Sequence, residues 1–214
     1  MVKSSDARLF ARWALPYLRC RMNARHFRSV RRSAFLMCAI AALQGCGGAT
    51  DPVAQFENVT FKSAVFAING TPIGVPSAIN TATAATVRAE ETYDFDVAFD
   101  LDNNGDVVLL TQRQVGRPIA GDHAVSLQLA GVSFDAVVQA PRSGWVADSV
   151  LTVGVGEVFM VRAQSRACQF AFGSNLHSKM IVDSVNVATR RIWVTTLNNP
   201  NCGFRQLIPG RPRF

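Results

Sequence analysis

Tyr93-Asp94-Phe95-Asp96-Val97-Ala98-Phe99-Asp100-Leu101-Asp102 is the most strongly patterned stretch of this 214-residue chain. Its odd positions are all apolar, and its even positions are four Asp and one Ala. Side chains alternate faces along a strand, so this contrast predicts one buried face and one wet face. Asn103-Asn104-Gly105 follows as a hairpin signal, and residues 107–111 are the returning strand.

Outward from this hairpin the same grammar continues. Residues 56–68 are rich in Phe, Val and Thr and end at the turn Asn69-Gly70-Thr71-Pro72. Further strands are expected over residues 123–129, 133–139, 145–153, 157–163, 177–187 and 191–197. Residues 72–91 are Ala/Thr-rich and fit a loop, an edge strand or a short helix. Arg190-Arg191 falls at a hairpin tip, where solvation is the expected state. Strands spaced by about 8–12 residues, with no helical period, point to an all-β fold. The expected architecture is a single antiparallel β-sandwich or barrel-like domain following a cleaved helical signal peptide.

Charge divides the chain in two. Residues 1–45 carry nine Lys/Arg against the single acid Asp6, which is +8. Residues 46–214 carry thirteen against fourteen, which is −1, and the parts sum to the +7 of the whole. The basicity belongs to the N-terminal leader, so the body has no electrostatic footprint for nucleic acid.

Within the leader, Arg31-Arg32 precedes the eleven apolar or small residues 33–43. A membrane-spanning helix needs about 20, whereas a signal peptide's apolar region needs only this length. Leu43-Gln44-Gly45-Cys46 then resembles the lipobox of bacterial lipoproteins, with Gln44 in place of the usual small residue at that position. Residues 67–72, 95–100 and 199–205 are also similar to segments of uncharacterised bacterial lipoproteins of comparable length. The resemblance implies that residues 1–45 are a signal peptide or leader and that Cys46 is acylated. It implies export and attachment to the cell envelope, with the domain in the periplasm or on the surface. Gly47 after the Cys fits release to the outer membrane. Met22 is an alternative start that gives a signal of ordinary size. Residues 46–55 are then a lipidated N-terminus and short linker, and residues 56–214 the β-domain.

Once Cys46 carries lipid, the mature chain keeps Cys168 and Cys202. An even count in an oxidising compartment predicts a disulfide between them; the alternative is two buried free thiols. Each follows an expected strand. Residues 146–170 and 181–204 also share a loose pattern, either ordinary hairpin grammar or two equivalent hairpins.

Chemistry-bearing patterns are sparse. Asp100, Asp102 and Asp106, with Asn104-Gly105 between them, match the first half of a calcium loop. Thr111 stands where that loop requires a bidentate Glu. Asp94 and Asp96 share an expected face, as a pair of catalytic carboxylates would. His123 and His177 are the histidines of the body, and neither sits in a nucleophile-elbow or zinc-ligand spacing. Tyr93, Trp145 and Trp193 are candidates for stacking a sugar, although such rings more commonly pack in a core. The functional expectation is a membrane-anchored envelope lipoprotein with a non-catalytic binding or structural domain. Its partners would be the membrane, through the lipid, and an envelope protein or glycan. The alternative is a small-ligand or calcium-binding lipoprotein centred on the Asp-rich hairpin.

Overall fold

The structure is a computed structural model and describes residues 51–92, 94–116, 124–147, 149–171 and 173–214. The leader, Cys46, Tyr93 and His123 lie outside the described residues. Residues 51–214 form one compact unit, and among the described residues its regular elements are strands apart from the 3₁₀ turn Arg166–Cys168. Among the described residues, no helix is long and apolar enough to cross a membrane.

Among the described residues, eleven strands make two antiparallel sheets. They are β1 (Val59–Phe66), β2 (Ala78–Asn80), β3 (Ala85–Val87), β4 (Val97–Leu101), β5 (Val107–Leu110), β6 (Val125–Leu129), β7 (Val146–Ala147), β8 (Leu151–Val153), β9 (Val158–Gln164), β10 (Asn175–Asn186) and β11 (Arg191–Asn199). The larger sheet runs β1-β11-β10-β9-β6-β7, and the smaller runs β3-β2-β4-β5-β8. Val97, Phe99, Val107 and Leu109 of the smaller sheet pack with Phe159, Val161, Met180, Val182, Ile192 and Val194 of the larger. This shared core makes the domain the sandwich that the strand spacing predicts.

The alternation in the larger sheet is strict enough to place its two faces. In β10 it is interrupted once, where the pairing with β11 skips between Val182 and Ser184. Asp183 is the extra residue of this bulge, and it accepts a hydrogen bond from the Thr195 hydroxyl (2.6 Å). Val185 thereby returns to the core face behind Val182.

The stretch at residues 93–102 folds differently from its pattern. Val97, Phe99 and Leu101 do face the core, but the opposite side of β4 is not wet. Asp96 is 2% exposed, Ala98 0% and Asp100 9%. Ala98 packs with Ala78, Ala89 and Phe95 in a second apolar layer, which Ile68, Val87, Leu110 and Val115 extend. Only Asp94 is fully exposed, and Asp102 partly so.

Two other expectations are corrected, and one open alternative is decided. Residues 133–139 form no strand: they turn over the outer face of the larger sheet and meet the C-terminal segment at an isolated Gln139–Gln206 bridge. Residues 145–153 are not one strand, because β7 pairs with β6 and β8 with β5, in different sheets. The two similar segments are therefore not equivalent hairpins, since β8 and β9 lie in separate sheets while β10 and β11 pair directly. Residues 72–91 hold the short β2–β3 hairpin.

Candidate functional site

The outer face of the larger sheet carries one row of polar side chains across four strands. Ser126 of β6 is level with Arg162 of β9, Arg162 with His177 of β10, and His177 with Asn199 of β11. Below this row Val158, Met160, Ile181 and Leu197, with Lys179 among them, are covered by Val137, Ala140 and Leu207. The cover is two antiparallel segments. Ala140 donates its N–H to the Arg205 carbonyl (2.8 Å), and Leu207 donates to Val138 (2.9 Å).

Side chains of the sheet pin this cover. Asn199 donates to the carbonyls of Phe204 (3.2 Å) and Gln206 (3.0 Å). Lys179 is 2% exposed, and its ammonium donates to the carbonyls of Phe134 (2.7 Å) and Val137 (2.9 Å). It also lies 4.4 Å from the centre of the Phe134 ring. Burial lowers the Lys179 pKa, and Asp135 nearby partly offsets that. No motif announces this lysine; its only signal is its place on the face shared by His177 and Ile181.

At the edge of the cover the row opens into a cavity of about 500 Å³. Its walls include Trp145, His177, Phe214 and three arginines, Arg142, Arg162 and Arg205. The Trp145 indole donates to the Pro141 carbonyl (3.0 Å). The Arg162 guanidinium sits 5.0 Å from the Trp145 ring centre, a cation–π distance, and also donates to the Ser126 hydroxyl (3.2 Å). Arg205 donates to the Ala140 carbonyl, and its buried Nε–H has no partner. Among the described residues, no acid forms a salt bridge with Arg142, Arg162 or Arg205.

His177 is 5% exposed, and its Nδ1 lies 3.0 Å from the Phe204 carbonyl. A carbonyl only accepts, so Nδ1 carries the proton and Nε2 has the free lone pair. Burial pushes the His177 pKa down to about 4. Arg205 and Arg162 contribute to that lowering, against the raising effect of the Phe204 hydrogen bond. The imidazole is therefore neutral at physiological pH, and the positive charge of the cavity belongs to the arginines. Burial and Arg142 also draw the Arg205 pKa below its ordinary value.

The cavity rim depends on two glycines. A Cβ on Gly173 would come within 2.7 Å of the Gly203 Cα, so the backbones meet where no side chain fits. Gly203 also donates its N–H to the Asn175 carbonyl (2.9 Å). Next to it, Cys202 is joined to Cys168 by a disulfide with 5.4 Å between Cα atoms. The pairing expected from the cysteine count is the one present.

The other sequence candidates fall elsewhere. Asp100 accepts from the Asn69 amide (2.5 Å) and the Leu101 N–H (2.8 Å), and it forms a salt bridge with Arg190 (2.9 Å). Asp102 accepts the N–H groups of Asn104 (2.8 Å) and Asp106 (2.9 Å), closing the hairpin turn on itself. The oxygens that a cation would need at Asp100 and Asp102 are thus engaged with the protein. Among the described residues, no group of three or more His, Cys, Asp or Glu is placed to hold a metal ion. Asp94 and Asp96 border a separate cavity of about 390 Å³, but Asp96 is held by the Thr81 N–H (2.6 Å) and hydroxyl (2.5 Å).

Arg190 is not merely solvated. Besides the Asp100 pair, it donates to the carbonyls of Asn69 (2.6 Å) and Leu101 (3.0 Å), which ties the β10–β11 turn to β4 of the other sheet. Arg191 lies between the rings of Phe66 (5.5 Å) and Trp193 (4.9 Å). Both tryptophans are half-buried with an arginine against the ring, so neither is a bare stacking platform.

No protein-family profile, curated protein or solved structure matches this chain.

Proposed function

We propose that this protein is an exported lipoprotein, anchored to the envelope through Cys46, whose β-sandwich binds an anionic envelope component without transforming it. The observation that carries the binding site is the cavity with three arginines, an orphaned guanidinium N–H and, among the described residues, no salt-bridging acid. Guanidinium groups recognise carboxylate or phosphate through paired hydrogen bonds, and their attraction strengthens in a cleft with low-dielectric walls. Trp145 and Phe214 supply apolar contact beside that charge, which suits an acidic saccharide better than a free inorganic ion. The neutral Nε2 of His177 can accept a hydroxyl. Signal-like residues 31–46 support export and lipidation.

The test has two arms. Calorimetric titration with a uronic-acid oligosaccharide and with its neutral counterpart should show binding of the acidic one only. Arg205→Ala should weaken it at least tenfold, and higher salt should weaken it further. Equal affinity for the neutral sugar, or no effect of Arg205→Ala, refutes the ligand assignment. Separately, Cys46→Ser should remove the lipid mass and release the protein from membranes. Unchanged mass and fractionation would refute the anchor.

A further inference from the structure

A third cavity, of about 470 Å³, lies beside the Cys168–Cys202 disulfide. It is formed where the first described residues of the chain, the segment around Phe170 and the start of the C-terminal segment meet. None of the residues lining it carries a charge. Phe170 is 96% exposed, Val53 79% and Phe56 57%. A phenylalanine so fully in water has no role in the core, and three large apolar side chains around one cleft are a patch rather than scattered exposure.

The patch is held rigidly. Asn201 accepts the N–H groups of Gln55 (2.8 Å) and Phe56 (2.9 Å) and donates to the Phe56 carbonyl (2.9 Å). Ala54 is buried, which fixes Val53 and Phe56 on either side of it. The 3₁₀ turn Arg166–Cys168 and the disulfide fix the chain that presents Phe170. The exposed acids Asp51 and Glu57 border these residues in sequence but do not line the cleft.

Cys46 precedes Pro52 by six residues. Six residues reach at most about 22 Å even when fully extended. A lipid on Cys46 would therefore keep the patch within one short tether of the bilayer at all times. The effective concentration of membrane at this cleft is then high, so a weak apolar contact becomes occupied. We infer that the cleft around Val53, Phe56 and Phe170 is a membrane-docking surface that inserts these side chains into the lipid interface beside the anchor. This rests on the lipoprotein reading of Cys46. Docking fixes the orientation of the domain and places the opposite end of the β10–β11 hairpin, about 35 Å along the strand, away from the bilayer.

The experiment uses the full lipidated chain in phosphatidylethanolamine–phosphatidylglycerol vesicles. An environment-sensitive fluorescent amino acid is placed by stop-codon suppression at position 170 in one sample and at 187 in another. Val187 is 58% exposed just beyond the far end of β10 and serves as the control. Both sites are exposed, so neither substitution strains the core. The 170 probe should shift to the blue and lose at least half its emission when the acyl chains are brominated, while the 187 probe changes by less than a tenth. A mass spectrum of the same sample reads the lipid on Cys46. Lipid present with the two probes alike overturns docking alone; lipid absent overturns both docking and the anchor.

Discussion

Asp100 shows how a single buried residue can contradict its own pattern. By alternation it belongs to the wet side of β4, yet it is 9% exposed and accepts hydrogen bonds from Asn69, Leu101 and Arg190. Removing one member of a buried charged pair strands the other and leaves donors unsatisfied, a loss of roughly 3 kcal/mol. Asp100→Ala should therefore lower the urea midpoint substantially without changing the denaturant slope, whereas a solvated Asp would shift stability by less than about 0.5 kcal/mol. His177 makes a different prediction, in pH. Its folded pKa of about 4 lies below the ordinary 6.5, so between these values the unfolded chain holds a proton that the folded one does not. Stability contributed by the neutral imidazole is complete above about pH 6.5 and is lost as pH falls toward 4. At about 1.36 kcal/mol per unit, the loss over the window is of the order of 3 kcal/mol. His177→Gln should flatten the melting temperature across pH 4–6.5. An equally steep fall in the variant would assign the acid sensitivity to other groups.

At the scale of elements, β9, β10 and β11 are the frame on which the rest is hung. Apart from the bulge at Asp183, their residues alternate between the core and an outer face, and their adjacency brings Arg162, His177 and Asn199 level. The Cys168–Cys202 bridge closes this frame at one end, linking the segment after β9 to the segment after β11 over a separation of 34 residues. A loop of that length contributes about 3–4 kcal/mol in the chain-entropy account, less any strain. Thiol titration of the unreduced, denatured protein should find neither cysteine free. The Cys168→Ala/Cys202→Ala double variant should unfold about 3–4 kcal/mol more easily. Two titratable thiols at these positions in the exported protein would disprove the bridge in the native state. Most strand positions were legible from apolar alternation and Gly/Asn turns, as before Asn69-Gly70, but the break within residues 145–153 between two sheets was not. Residues 133–139 were not, because their apolar side chains, Phe134 and Val137, pack onto a sheet as a cover without joining it. Composition is the same for both fates.

Across the whole molecule, local pattern and tertiary structure divided the outcome along a physical line. Period-two alternation, turn residues and strand spacing determined by themselves that the body is an antiparallel all-β sandwich or barrel, because side-chain direction in a strand is a local property; two separate sheets closing on a shared core decided for the sandwich. The cysteine count singled out Cys168 and Cys202, and the leader's charge and apolar length set the expectation of export. Only tertiary structure decided which polar residues lie in water. Asp96 and Asp100 were read as a solvated face because the sequence does not say that Ile68, Ala89, Phe95 and Val115 gather in an apolar layer on that side of the smaller sheet. The arginine cavity was invisible for a related reason. Arg142, Arg162 and Arg205 are separated by 20 and 43 positions, and they share a site only because a C-terminal segment lies across the sheet. A face can be inferred from neighbours in sequence, but a covered face or a convergent cluster depends on contacts between distant segments, and those are set by the packing of the two sheets and their covers.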